Sequence, residues 1–400
     1  MYLSRQLDEK QLILLKQGKG FFHIGASGHE AAQLAAARFV NVNKDYSYPY
    51  YRDQAYCIGL GMTAREILLS FLAKNDDPNS SGRQMPQHFS HRNLNIVSQS
   101  SPTGTQYLQA LGAAFALEKK GEGGVAYVSS GEGTTSQGDF HEALNWASRE
   151  KAPVVFHIEN NNYAISVPID EQTAGGSVYD ITSGYDSLMR FNIDGCDYFE
   201  SILAFEKAFK RTRNGMGPSV VVSNVVRLLP HSSSDDHRKY RLDKDIDKDK
   251  KRDPLKLFIK SCCKKYKIDK DEFKVIDSSI DEKIKLDLDW ALEQNDPSAK
   301  SYSDNLFASD WEIKSNPPSF ISEKTVLVDS INHALDEELS NNKKMLLYGQ
   351  DIAGGKGGVF TATRGLTEKH GPDRVFNAPL AESSIVGTAI GMATLGYKPV

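Results

Sequence analysis

The middle of the chain alternates hydrophobic patterns of two kinds. Residues 105–120 and 139–150 place apolar side chains at the spacing of amphipathic helices, whereas 123–130, 152–160 and 218–226 contain apolar runs that predict buried strands. Strands that alternate with helices of this length predict a parallel sheet with right-handed crossovers. We therefore expect an α/β fold, with a parallel sheet flanked by helices and with ligands at the carboxyl ends of the strands.

The two ends of the chain depart from this pattern. The first residues predict an amphipathic helix without the apolar core of a signal peptide. Residues 235–300 are highly charged and predict a helical extension, and residues 301–324, which include Pro317 and Pro318, predict a linker. Residues 325–400 begin a second α/β domain whose core is not closed by the elements they contain. We expect further chain or a partner to complete that core.

Composition narrows the choice of partners. The chain has 48 Lys and Arg against 52 Asp and Glu. Its net charge therefore creates no positive electrostatic potential that would attract nucleic acid or a membrane surface. The longest apolar stretch, from Ser384 to Leu395, is shorter than the about 20 residues that cross a bilayer. The four cysteines lack the spacing of a zinc site or a disulfide framework. We expect a cytoplasmic protein with neither a nucleic-acid nor a membrane partner.

Two polar turns follow neighbouring predicted strands. Glu132 lies between two glycines after the first strand, and Asn161 lies in an Asn-rich turn after the next strand. One crossover separates them, so right-handed geometry brings the carboxylate, the amide oxygen and nearby carbonyls to one sheet edge. Each turn alone is typical of ordinary loops. Together they predict oxygen ligands that hold magnesium against a diphosphate.

Residues 131–166, GEGTTSQGDFHEALNWASREKAPVVFHIENNNYAIS, resemble the thiamine diphosphate motif in the α subunits of 2-oxo acid dehydrogenase complexes. The resemblance implies that the magnesium ligands are Glu132, Asn161 and the backbone oxygen of Tyr163, in a turn formed with Gly131 and Gly133. Most relatives have Asp where this chain has Glu132, and Glu is similar to the branched-chain members. This segment lies in residues 1–234, which resemble the diphosphate-binding domain of those subunits.

The loop that begins SSPTGTQ resembles the family's cofactor loop. The resemblance implies that Ser101 and Thr103 line the cofactor. It also implies a structural potassium site formed by Ser100, Pro102, Thr105 and Gln106. Taken individually, Ser and Thr here are equally typical of a helix cap.

Two further segments resemble parts of the diphosphate site. Tyr51 and Arg52 match the pair that places an arginine on the diphosphate, a task that suits its fixed fork of donors. His231, in LLPHSSSDDHRKYR, matches the loop histidine that contacts the phosphate and donates a proton. The alternatives are a surface arginine and a solvated charged loop. Because Glu159 stands where some branched-chain relatives have arginine, Arg52 and His231 are expected to carry more of the charge.

Residues 325–400 resemble the start of the β subunit of the same enzymes, so the chain resembles an α–β fusion. On that match, Glu382 is the carboxylate that bonds to the pyrimidine ring of the cofactor. An acid in the first turn of a helix is also favourable through the helix dipole alone. The catalytic residues implied by the resemblance are therefore Glu382 and His231.

The resemblance implies oxidative decarboxylation of a 2-oxo acid, with branched-chain substrates favoured. It further implies thiamine diphosphate and Mg²⁺ as cofactors, acyl transfer to a lipoyl-bearing dihydrolipoyl acyltransferase, and a homodimer of the fused chain. The alternatives are an enzyme of the pyruvate or acetoin dehydrogenase type, a transketolase-like enzyme, and a non-catalytic nucleotide-binding or scaffold protein. Segments 82–89 (GRQMPQHF) and 231–236 (HSSSDD) favour the dehydrogenase over the transketolase.

Overall fold

A computed structural model describes residues 1–307 and 324–400 of the protein. The chain divides into two compact units, Met1–Pro297 and Ser298–Val400. The prolines of the expected linker, Pro317 and Pro318, lie outside the described residues.

The first unit contains a central sheet, a small hairpin and the helices around them. Its strands are β1 (Tyr46–Tyr48), β2 (Ala126–Gly131), β3 (Val154–Asn160), β4 (Tyr163–Ala164), β5 (Val167–Pro168), β6 (Met189–Asp194) and β7 (Ser219–Asn224). Its helices are α1 (Tyr2–Lys16), α2 (Glu30–Ala37), α3 (Gln54–Leu60), α4 (Ala64–Phe71), α5 (Thr105–Lys120), α6 (Gly138–Glu150), α7 (Ile169–Gln172), α8 (Val178–Ile181), α9 (Tyr198–Arg213), α10 (Asp243–Lys251), α11 (Pro254–Tyr266) and α12 (Lys270–Leu292).

The central sheet has the order β1-β2-β3-β7-β6, and every neighbouring pair in it is parallel. This confirms the predicted α/β class with a parallel sheet. The predicted segments become α5, β2, α6, β3 and β7. Strands β1 and β6 were not predicted, because their short, half-polar sequences have little of the apolar continuity that marks a buried strand.

Helices cover both faces of this sheet. Tyr127 of β2 stacks on Phe209 of α9, with ring centroids 6.4 Å apart. The next residue, Val128, points to the opposite face, where its register partner Phe156 contacts Tyr107 of α5. Alternate side chains of one strand therefore enter two separate helical layers, as expected for a strand buried on both sides.

The charged segment after the sheet forms helices, as its pattern predicts. Helix α12 begins with a capping box between Asp269 and Glu272 and buries few side chains, among them Ile284 and Ala291. These two residues join the core that contains Leu7 of α1. The helical extension therefore packs against the rest of the first unit, although most of the surface of the extension is polar.

The second unit forms a smaller α/β core. Strand β8 (Met345–Gly349) lies between β10 (Lys398–Pro399) and β9 (Val375–Asn377), and both pairs are parallel. Its helices are α13 (Leu327–Asn341), α14 (Leu366–His370) and α15 (Glu382–Thr394). Over the described ranges, no helix has the length and apolar content needed to cross a bilayer.

Candidate functional site

The carboxyl ends of β2, β3 and β7 meet at one edge of the central sheet. In the register of these strands, Gly131 pairs with Glu159 and Asn160 pairs with Asn224. The turns that follow β2 and β3 therefore leave the sheet side by side. The backbone N–H of Asn161 donates to Oε2 of Glu132 at 3.1 Å, which ties the two predicted ligand turns together.

Two buried oxygens at this edge lack a protein donor. Glu132 is 1% exposed and Asn161 is 6% exposed, yet Glu132 Oε1 and Asn161 Oδ1 have no hydrogen-bond partner among the described residues. Burial raises the pKa of Glu132 above its usual value. Because an unsatisfied buried carboxylate is costly, both oxygens fit a role as ligands of a cation.

The backbone packs closely where the turn after β2 meets strand β4. A Cβ atom added to Gly133 would lie 2.5 Å from the Cβ of Ala164, so only glycine allows the turn to approach β4 this closely. Asn162 has a φ of +70°, and Tyr163 begins β4 directly after it. A Cβ at Gly131 would meet only Tyr50, at an ordinary 3.8 Å.

Arg52 supplies positive charge beside these oxygens. It is 2% exposed, its Nη1 donates to the carbonyl of Gly25 at 2.5 Å, and its Nη2 lies 3.4 Å from both Nδ1 and the carbonyl oxygen of His231. Its Nε has no partner among the described residues. The guanidinium carbon also lies 5.4 Å from the ring centroid of Tyr51. The structure thus brings together the predicted Tyr51, Arg52 and His231.

Arg227 is a second buried guanidinium that sequence reasoning missed. Its Nη1 donates to the carbonyl of Ile165 at 2.9 Å and its Nη2 to the hydroxyl of Tyr240 at 2.7 Å, while Nε has no partner in the described chain. Burial, and next the charge of Arg52, lower its pKa. Among the described residues, neither guanidinium forms an ion pair with a carboxylate. Two like charges buried in this way indicate an anion site. The signal available in the sequence was an arginine directly after the strand VVVSNVV.

His231 is held by its loop and lies beside Arg52. Its backbone N–H donates to Oδ2 of Asp235 at 2.7 Å, and its ring lies edge-on to Tyr51 at 6.0 Å. Burial, followed by the charges of Arg52 and Arg227, lowers the pKa of His231 to about 4. The ring is therefore neutral near pH 7 in the absence of an anion.

The predicted potassium loop gathers three oxygens. Ser100 Oγ donates to the carbonyl of Pro102 at 3.0 Å and also contacts Thr105 Oγ1, which lies 3.3 Å from the same carbonyl. Gln106 is turned away from this cluster, because its Oε1 accepts from the N–H of Gly104 at 2.9 Å. Ser101 Oγ lies 2.9 Å from Nε2 of His88.

Glu159 lies beneath the site rather than in it. It is fully buried, and its Oε2 lies 2.5 Å from Nδ1 of His29 and 2.9 Å from Nε2 of Gln33. Burial raises the pKa of Glu159 to about 7, and burial followed by Glu159 raises that of Asp53 well above its usual value. Glu159 is therefore a carboxyl group packed in the core. The buried positive charge comes from Arg52 and Arg227.

Glu382 is the predicted site residue of the second unit. It is the first residue of α15 and is exposed. The side chain of Gln350, followed by the backbone of its own helix start, lowers its pKa. An acid at this position stabilises the helix start through the helix dipole.

Comparison with known families matches both units. Residues 1–300 match the family described as dehydrogenase E1 component. Residues 324–400 match the family described as transketolase, pyrimidine binding domain.

Individual relatives cover most of the first unit. The 2-oxoisovalerate dehydrogenase subunit alpha of Bacillus subtilis is 43% identical over 255 residues, which cover 64% of this chain and 77% of the relative. The pyruvate dehydrogenase E1 component subunit alpha of Staphylococcus aureus is 33% identical over 315 residues, covering 78% and 80%. That of Staphylococcus epidermidis is 33% identical over 303 residues, covering 75% and 77%.

Proposed function

Because this chain belongs to the family of dehydrogenase E1 components, we propose that it is the decarboxylating component of a 2-oxo acid dehydrogenase complex. The observation that carries this proposal is the sheet edge. Within the described residues, buried oxygens that lack a donor lie there within electrostatic range of two buried guanidinium groups that lack an ion-paired carboxylate. A cation bound to a diphosphate satisfies both sets of groups at once. A non-catalytic scaffold would have no need of either.

The cofactor of this family is thiamine diphosphate, which supplies the carbon nucleophile and the electron sink for loss of carbon dioxide. In this chain, Glu132, Asn161 and the carbonyl of Tyr163 would hold Mg²⁺. Glu132 and Asn161 each present a buried oxygen without a protein donor, which supports this assignment. Gly131 and Gly133 would form the turn that lets the ion approach.

The diphosphate would be bound by Arg52, Arg227 and His231. The two guanidinium groups offer N–H donors and charge, and the neutral His231 ring can take up a proton as negative charge arrives beside it. Tyr51 would orient Arg52 and His231, because its ring contacts both side chains. These residues fix the phosphates in place and hold a mobile proton next to them.

Two further groups of residues would contact the cofactor. Ser101 and Thr103 would line the cofactor site of the first unit. In the second unit, Glu382 would hold a proton at a nitrogen of the pyrimidine ring. The match of residues 324–400 to a pyrimidine-binding family supports the role of Glu382. The oxygens of Ser100, Pro102 and Thr105 would hold a structural K⁺ that stiffens this loop. Gln106 would join them if its Oε1 turned from the N–H of Gly104 towards the ion.

Branched 2-oxo acids are the substrates we propose. The relative at 43% identity is named for 2-oxoisovalerate, whereas those named for pyruvate are 33% identical. Glu132, which stands in place of the Asp of most relatives, also favours a branched 2-oxo acid. A transketolase activity is disfavoured, because that name belongs to the match of residues 324–400, whereas residues 1–300 match the dehydrogenase.

The partners we propose are a 2-oxo acid, the lipoyl group of a dihydrolipoyl acyltransferase and a second copy of this α–β fused chain. Residues 1–234 would bind the diphosphate, 235–300 would form the helical extension, and 325–400 would begin the pyrimidine domain beyond a linker at 301–324. We place the enzyme in the cytoplasm, as its four cysteines without disulfide or zinc spacing suggest.

Decarboxylation with an artificial electron acceptor tests these proposals. We expect turnover of 2-oxoisovalerate with a higher kcat/KM than of pyruvate or 2-oxoglutarate, and loss of turnover when the divalent ion is chelated. An equal or higher kcat/KM for pyruvate would contradict the branched-chain assignment. No decarboxylation of any 2-oxo acid by protein that binds thiamine diphosphate would favour a non-catalytic role.

A further inference from the structure

Residues 82–89 brace the loop that carries Ser101, although the proposed function gives them no role. The side-chain amide of Gln84 donates to the carbonyl of Gln99 at 3.4 Å, and the backbone N–H of Gln99 donates to the carbonyl of Phe89 at 3.3 Å. These bonds join the segment to the loop two residues before Ser101. The placement of the Ser101 side chain therefore depends on this segment.

His88 contacts Ser101 directly. The histidine is buried, its Nδ1 lies 3.3 Å from the carbonyl oxygen of Pro86, and its Nε2 lies 2.9 Å from Ser101 Oγ. A carbonyl oxygen can only accept, so Nδ1 carries a proton. In the neutral ring, Nε2 is then an acceptor, and the Ser101 hydroxyl must donate its proton to it. The lone pairs of Ser101 Oγ are left to accept from another group.

The backbone next to His88 is held in an uncommon conformation. Gln87 has a φ of +62° and is buried, and its Oε1 accepts from the backbone N–H of Ile24 at 2.9 Å. A non-glycine residue keeps such a conformation only where its surroundings determine it. The direction in which the chain presents His88 is therefore fixed by contacts with another loop.

We propose that His88 is a positioning residue that fixes the Ser101 hydroxyl as an acceptor for an N–H donor of the bound cofactor. This rests on the proposed function, in which Ser101 lines the thiamine diphosphate site. That cofactor carries its N–H donor as the amine of its aminopyrimidine ring. A hydroxyl committed to His88 can accept from that amine but cannot also donate to an oxygen at the same ring position.

Binding of two cofactors to the full-length enzyme tests this inference. In oxythiamine diphosphate, an oxygen replaces the ring amine. Calorimetry with Mg²⁺ should show that the wild type prefers thiamine diphosphate, and that His88→Phe lowers this preference about 3- to 10-fold, the net worth of one hydrogen bond. His88→Gln should restore the preference, because its amide oxygen can take the place of the Nε2 lone pair.

Ser101→Ala is the matched variant, since it removes the accepting oxygen from an exposed residue and leaves the buried ring in place. It should lose the same preference even if His88→Phe does not fold. An unchanged preference in folded His88→Phe or in Ser101→Ala would overturn the inference. So would an imidazole ¹⁵N spectrum of the cofactor-free protein that places the neutral proton of His88 on Nε2. A wild type that binds neither cofactor would overturn the proposed function itself.

Discussion

Each unit contains one carboxylate for which we propose a role with the cofactor, and the two carboxylates differ in burial and in the direction of their pKa shift. Glu132 is 1% exposed, and burial raises its pKa. Glu382 is exposed, and Gln350 and the backbone of its helix start lower its pKa. Burial in the first unit disfavours the charged form of Glu132. The charged form of Glu382 is favoured, because the side chain is exposed and its pKa is lowered.

This contrast shows how burial points to the chemistry of a ligand. A buried polar group without a protein partner indicates the kind of ligand that it binds, because burial without compensation costs free energy. Glu132 and Asn161 indicate a cation, and Arg52 and Arg227 indicate an anion. An exposed carboxylate at a helix start indicates nothing comparable. Its role comes from the match of its unit to a pyrimidine-binding family.

Glu382→Gln should therefore produce the largest effect on rate. Loss of a carboxyl group that holds a proton on the pyrimidine ring should lower decarboxylation about 10²- to 10⁴-fold, with the fold intact. The measurements are kcat and the thermal unfolding temperature of the full-length enzyme. Glu368→Gln is the matched control, because Glu368 is also an exposed acid in the first turn of a helix, α14.

A helix-terminal role for Glu382 makes the opposite prediction. The two variants would then show similar, small losses of stability and near-normal rates. That result would remove Glu382 from the mechanism and weaken the case for a pyrimidine site in the second unit.

Glu132→Gln and Asn161→Ala should each weaken Mg²⁺-dependent binding of thiamine diphosphate about 100-fold, which corresponds to about 2.7 kcal/mol. The reason is that each variant removes a buried oxygen that has no protein donor. Calorimetry with and without Mg²⁺ measures the effect. The control is Asn162→Gly, because Asn162 has a φ of +70° that glycine adopts without strain. Equal binding with and without the ion in the wild type would contradict the ligand assignment.

Arg227→Met should weaken binding of the diphosphate about 10- to 100-fold, as expected for a charged hydrogen-bond donor worth about 1.5–3 kcal/mol. In the cofactor-free protein, the same change also relieves the repulsion between Arg227 and Arg52, so the free energy of unfolding should fall less than for an ion-paired buried arginine. Arg238→Met is the control, because Arg238 is exposed and pairs with Asp236. Unchanged affinity in folded Arg227→Met would exclude it from the anion site.

The sequence predicted the elements with strong patterns and missed those fixed by tertiary contacts. Strands β2, β3 and β7 were predicted because each contains an uninterrupted run of three apolar residues, whereas the outermost strand, β6, has the half-polar sequence MRFNID. The meeting of Glu132 with Asn161 followed from crossover handedness. The sequence could not single out Arg227 as a diphosphate ligand. Only the fold reveals that it is buried near Arg52 and that, among the described residues, no carboxylate forms an ion pair with it. The proton on Nδ1 of His88 likewise depends on a carbonyl that only the backbone path brings close.

The smallest expected effect concerns the pH at which His231 takes up a proton. Its pKa in the cofactor-free protein is about 4, against an ordinary 6.5, because of burial and the charges of Arg52 and Arg227. Between these values, the unfolded chain takes up a proton at this residue and the folded chain does not, so the free energy of unfolding should fall as the pH falls from 6.5 to 4. A bound diphosphate offsets the two guanidinium charges and should raise the pKa of His231 towards its ordinary value.

Titration of the ring resonances by NMR, with and without inorganic diphosphate and Mg²⁺, measures both pKa values. A pKa near 6.5 without the anion would show that the arginines do not act on His231, and no change on adding it would place the anion elsewhere.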